Sequence, residues 1–316
     1  MINLASARLG AQALKCSDDS FAEMSRLLQD HPAVWKENVY DDFGKWMDGW
    51  ESKRRRSGGF DWCLIKLAVA GKINSFEIDT SYFTGNYPPG AQILGATSAE
   101  CPDENSADWI DLTGLLELGP DQKYPVACQQ MDLAITHLKF NIYPDGGVAR
   151  LRVYGQPEIK INSKERMELS ALVNGGRITA YSDAHYGDVE AVLTAGRGKD
   201  MGDGWETKRR REPGNEWIII ELGVPGEIDE IEIDTAHFKG NFPGGCTIQA
   251  AEMPALGDKA IVTQAMFWEE ILSFQPLQAD QIHRFKLDKT RRVTHIKVNS
   301  IPDGGMSRIR TFGVPA

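Results

Sequence analysis

The chain is poor in cysteine, and none of it is paired along the sequence. Cys16, Cys63, Cys101, Cys128 and Cys246 form no Cys-x-x-Cys, and their number is odd. A paired-cysteine metal site therefore has no support, and free thiols in a reducing cytoplasm are the simplest reading. No apolar run approaches the roughly 20 residues of a membrane-spanning helix. The opening stretch MINLASARLGAQALKCSDD lacks the basic-then-apolar layout of a secretory signal. Positive charge is in deficit, with 35 Lys and Arg against 45 Asp and Glu and a net charge of −10. Nucleic acid is a disfavoured partner on that balance, because phosphate backbones require a basic face. His-Glu-x-x-His, Gly-x-Ser-x-Gly and the phosphate-binding loop are all missing, so no standard metal or nucleophile signature is present. A divalent site made of carboxylates and histidine stays open.

What the chain does have is a duplication. DGWESKRRR, starting at Asp48, returns as DGWETKRRR from Asp203 with a single Ser-to-Thr difference. EIDTSYFTGNYPPG (77–90) returns as EIDTAHFKGNFPGG (232–245), and ITHLKFNIYPDGGVARLRVYG (135–155) as VTHIKVNSIPDGGMSRIRTFG (293–313). The order is preserved and the offset barely changes, so a whole domain is repeated in tandem. The period is far too long for a solenoid. Residues 1–158 form the first copy and 159–316, linker included, the second. A weaker echo precedes each arginine run, in the shared Ser17-Asp18 and Ser182-Asp183.

Each copy reads as strands. Cys63, Ile65 and Leu67 match Ile218, Ile220 and Leu222, and Phe76 and Ile78 match Ile231 and Ile233, all with a period of two. Leu138, Phe140 and Ile142 alternate and then stop at Pro-Asp-Gly-Gly, a turn sequence. Short strands, Gly/Pro loops and little helix predict an all-β sandwich per copy. A short helix is expected before Pro32.

Function should lie in the loops, and three of them are duplicated. The Lys-Arg-Arg-Arg run reads either as a charged edge strand or as a carboxylate clamp, since a guanidinium grips a carboxylate through two parallel bonds. An extended run would put Lys53 and Arg55 on one side and Arg54 and Arg56 on the other. Asn86 and Asn241, in their Gly-Asn bends, either close an ordinary turn or read a ureido group through the amide donor and acceptor. Asp145 and Asp303 cap turns or bind ligand, and Arg150 and Arg308 pair across a sheet or join the site. Trp50 and Trp205 flank the clamp. Glu51, Glu206 and His237, which replaces Tyr82 of the first copy, are the acid–base candidates. His137 and His295 read as structural.

Together, DGWESKRRR with FDWCLIKL, DGWETKRRR with NEWIIIEL, the IDTSYFTGN and IDTAHFKGN segments, and two PDGG loops resemble the allantoicase family over nearly the whole chain. The resemblance implies a tandem of galactose-binding-like jelly rolls. It also implies a cytoplasmic homo-oligomer hydrolysing allantoate to ureidoglycolate and urea, without implying a catalytic set. Allantoate carries one carboxylate and two ureido groups on a single carbon. Lys53, Arg54 and Arg55, or Lys208, Arg209 and Arg210, would hold the carboxylate, while asparagine and carboxylate groups would read the ureido arms. His237 or Glu206 would protonate the departing urea. With Tyr82 opposite His237, the first copy is either degenerate or part of a composite site. The competing class is a non-catalytic tandem jelly roll binding a carbohydrate or another small ligand, or a duplicate that has lost activity.

Overall fold

The computed structural model describes residues 1–42, 44–288 and 290–316. The chain divides into two compact units, Met1–Glu158 and Ile159–Ala316. Each unit is organised by one strand of 19 residues, Asp61–Asp79 in the first and Glu216–Asp234 in the second.

The first half of Asp61–Asp79 pairs with Ala134–Tyr143 on one side and with Gln12–Cys16 on the other. Its second half exchanges those partners for Arg150–Pro157 and Lys123–Ala127. One strand thus serves both layers of a sandwich, and the register breaks where it passes from one to the other, between Ile135 and His137. A β-carbon on Gly71, at this crossing, would lie 2.7 Å from the Gln156 carbonyl oxygen and 2.8 Å from Leu4 Cδ1. The second unit repeats the plan. Glu216–Asp234 pairs with Val293–Ile301 and Arg177–Tyr181, then with Arg308–Pro315 and Ile282–Lys286.

The fold is all-β, as the alternation predicts. Cys63, Ile65, Leu67, Phe76 and Ile78 point inward and are buried, as are Ile218, Ile220, Leu222, Ile231 and Ile233. Burial of this kind supplies the main driving force, about 1.5–3 kcal/mol per large aliphatic side chain. The short helix expected before Pro32 is a 3-10 helix, Met24–Leu28, which buries Leu27 and Leu28. An α-helix, Asp258–Gln264, lies between matched strands of the second unit and buries Ile261.

At one end of each sandwich a two-residue ladder ties the arginine-run loop to the Pro-Asp-Gly-Gly loop. Trp50–Glu51 pairs with Gly147–Val148, and Trp205–Glu206 with Gly305–Met306. The ladder lies directly on an aromatic ring. A β-carbon on Gly147 would stand 1.9 Å from Phe83 Cε1, and one on Gly305 2.1 Å from Phe238 Cδ1. Gly147→Ala must therefore displace a buried ring, at about 1–3 kcal/mol for overpacking. We expect a lower urea midpoint for that variant, and an unchanged midpoint would show that the ladder opens at no cost.

Candidate functional site

The three duplicated loops meet, and backbone hydrogen bonds hold them together. Asn86 presents its carbonyl to the Gly147 amide at 2.7 Å, and Asn241 does the same for Gly305 at 2.7 Å. The Ser52 amide donates to the Gly146 carbonyl at 3.1 Å. Asp145 does not merely cap its own turn, because its Oδ2 accepts the Arg55 amide at 2.7 Å. Asp303 accepts the Arg210 amide at 2.9 Å in the same way. Gly146 (φ +139°) and Gly304 (φ +130°) allow this approach, in a region that favours glycine. A β-carbon on Gly146 would lie 2.7 Å from the Asn86 carbonyl oxygen.

In the first unit the junction leaves a cavity of about 420 Å³, walled by Phe21, Glu51, Arg54, Arg55, Asn86 and Asp145 among others. Its size lies within the range of small-molecule sites. Asn86 Nδ2 donates to Glu51 Oε1 at 2.6 Å, and Asn241 bonds Glu206 in the second unit. Burial pushes the Glu51 carboxyl above its ordinary value. The Asn86 hydrogen bond pulls against that shift, and the charge of Asp41 adds to it.

The arginine run divides by role. It is not an edge strand, since the strand ends at Glu51. Arg55 and Arg210 are already committed, through guanidinium groups bonded to Asp61 and Glu216, each at 2.8 Å. Arg54 lines the cavity, and its guanidinium has no hydrogen-bond or ion-pair partner among the described residues. Arg209, its counterpart, is likewise exposed and unpaired among them. Lys53 and Lys208 face outward, with Nζ 3.1 Å from Asp18 and 3.5 Å from Asp183.

Several candidates lie elsewhere. Trp50 and Trp205 are fully buried, not flanking walls of the clamp. Their indole N–H groups donate to the carbonyls of Asp18 and Asp183, as a buried tryptophan requires. Arg150 and Arg308 are 1% exposed and ion-paired to Asp48 at 2.7 Å and Asp203 at 2.9 Å. They also donate to backbone carbonyls, Arg150 to His31 and Arg308 to Gly196. They hold loops together and offer nothing to a ligand. His237 sits in a turn at φ +69° with Nε2 2.7 Å from the Gly198 carbonyl oxygen. No hydrogen bond among the described residues joins its ring to Glu206 or Asn241, and Tyr82, its counterpart, is absent from the cavity wall. His137 and His295 are buried strand residues. Phe21 escaped the sequence reading, its only signal being the faint Ser-Asp echo just before it.

Two repeats with three matched loops, folded this way, have known counterparts. The allantoicase repeat matches residues 2–158 and 167–316. A probable allantoicase of Acinetobacter baumannii is 50% identical over 314 residues, covering 98% of this chain and 93% of its own length. The chain belongs to the allantoicase family. A probable allantoicase of Photobacterium profundum is 48% identical, over 99% of this chain and 96% of its own length. The crystal structure of allantoicase from Saccharomyces cerevisiae superposes with a TM-score of 0.81 at 34% identity, covering 99% of this chain and 92% of that one. In this allantoicase-family chain the buried arginines and the exposed ones have separable effects. Arg150→Met should cost about 3–5 kcal/mol, because it leaves the Asp48 carboxylate buried and unpaired. Arg54→Met should stay within about 0.5 kcal/mol, as exposed substitutions do. Denaturant titration of both variants checks the contrast, and equal costs would contradict it.

Proposed function

We propose that the protein hydrolyses allantoate to ureidoglycolate and urea in the loop junctions just described. The observation that carries the site assignment is an asparagine–glutamate pair present in both copies, which in the first lines a cavity together with Arg54, an arginine without a partner among the described residues. Arg54 and Arg209 grip the carboxylate of the substrate. Asn86 and Asn241 spend Nδ2 on a glutamate, which leaves Oδ1 to accept a ureido N–H. Glu51 and Glu206 exchange protons with the reacting centre.

The chemistry demands such a group. A ureido anion is a very poor leaving group, so the departing nitrogen must receive a proton as the C–N bond breaks. A positioned acid contributes about 10²- to 10⁴-fold. A carboxyl pushed upward by burial stays protonated at a higher pH than an ordinary one, which suits Glu51 to this task. As pH rises through that raised value the acid form disappears, so turnover relying on Glu51 falls on the alkaline side. The same reading makes the protein a cytoplasmic homo-oligomer. Five cysteines without a disulfide support the compartment, and the family resemblance supports the assembly. Among the described residues no helix is long and apolar enough to cross a membrane.

The deciding measurement is urea release from allantoate by the intact chain. Equimolar urea and ureidoglycolate are expected, and binding without turnover would instead favour the non-catalytic jelly roll. Two double variants then test the roles. Arg54→Ala with Arg209→Ala should raise KM about 10- to 100-fold, as loss of a charged hydrogen bond worth about 1.5–3 kcal/mol requires. Glu51→Gln with Glu206→Gln should lower kcat by about 10²- to 10⁴-fold. Near-normal kinetics in both would reject the assignment.

A further inference from the structure

The wall residue Phe21 is held at the first-unit cavity by its backbone. The amides of Phe21 and Ala22 both donate to the Glu51 carbonyl, at 3.2 and 3.1 Å, and the Glu51 amide returns a bond to Ala22 at 3.0 Å. The second unit repeats this bridge with other residues. The amides of His185 and Tyr186 donate to the Glu206 carbonyl at 2.9 and 3.2 Å, and the Glu206 amide donates back to Tyr186 at 3.4 Å. Ala22 bridges Glu51 as Tyr186 bridges Glu206. His185 therefore occupies the chain position of Phe21. Counting from the shared Ser-Asp conceals this, because the first copy has one more residue between its aspartate and the bridge.

The state of the ring strengthens the correspondence. The chain has 6 histidines. Five keep a ring nitrogen on a neighbour: His31 on Pro32, His137 on Thr136, His237 on Gly198, His283 on Ile233 and His295 on Thr294. His185 is exposed, and its ring nitrogens bond to nothing among the described residues. The ring lies edge-on to Tyr186, with centroids 4.3 Å apart at 80°.

We propose that His185 is a catalytic residue of the second copy, transferring a proton beside Glu206 and Asn241. This rests on the allantoate reading above. Imidazole is the side chain most often used for general acid–base proton transfer. The C–N bond breaks with its electron pair leaving on the ureido nitrogen, and the imidazolium proton goes to that nitrogen. The water oxygen bonds to the carbon and its proton goes to the Glu206 carboxylate. Exchange with solvent then restores both groups, and the net change is addition of one water. In the first copy Phe21 offers no proton, so Glu51 acts alone there and turnover concentrates in the second copy.

The test uses the intact chain, steady-state urea release and two variants. His185→Phe installs the residue that the first copy tolerates at this position, and His185→Ala leaves room for added imidazole. For His185→Phe we expect kcat to fall by about 10²-fold or more, with KM within about threefold and an unchanged melting temperature. Imidazole in the buffer should restore His185→Ala by about tenfold or more, since free imidazolium can supply the proton that the missing side chain gave. A kcat for His185→Phe close to that of the parent, or a loss of activity that merely follows a lower melting temperature, would overturn the role. Absence of urea release by the parent would sink the allantoate reading and this inference with it. An active parent with an equally active His185→Phe sinks this inference alone.

Discussion

The site depends on a carbonyl–amide bond closed where no side chain fits. Asn86 can offer its carbonyl to Gly147, and Asn241 to Gly305, because glycine leaves the backbone bare above Phe83 and Phe238. That bond puts the asparagine amide within reach of the glutamate one strand away, since Glu51 and Glu206 pair across the same ladders. The half-buried amide and its carboxyl partner satisfy each other, which lowers the cost of leaving either unpaired. These hydrogen bonds tie the loops to one another, while Arg54, exposed at the cavity, has no partner among the described residues.

Charge is used in two ways within a few residues. Arg150 and Arg308 are consumed inside the protein by Asp48 and Asp203. A buried ion pair of this kind contributes less to net stability than its geometry suggests, because both charges lose their hydration. Its value is positional, for it pins the start of the Asp-Gly-Trp loop to the strand behind it. Arg55 and Arg210 fix the run to the first residues of the long strands through Asp61 and Glu216. Arg54 and Arg56, like Arg209 and Arg211, keep no partner among the described residues, and of these Arg54 lines the first-unit cavity.

The two copies share a skeleton and differ in their titratable groups. Glu51 is raised by burial and stands opposite an aromatic wall. The Glu206 carbonyl accepts the amide of a histidine whose ring nitrogens have no hydrogen-bond partner among the described residues. Duplication preserves the hydrogen bonds that build the junction, while side chains facing the ligand are free to diverge.

The duplication, the all-β class, the alternating core and the three loops were legible from the amino-acid order alone. Period-two burial and glycine-bearing turns are local properties, and a repeated string needs no geometry to be seen. The pairing of Asn86 with Glu51, the burial of Trp50 and Arg150, and the engagement of His237 by Gly198 were not legible. Each depends on which atoms meet across tens of residues, as when Asp145 accepts the Arg55 amide 90 positions away. The same holds for His185. Its place is set by a backbone bridge to Glu206, and a one-residue difference in loop length hides that bridge from any alignment by counting. Composition and periodicity determine which layers form; only closure of the sandwich decides which side chains share a pocket.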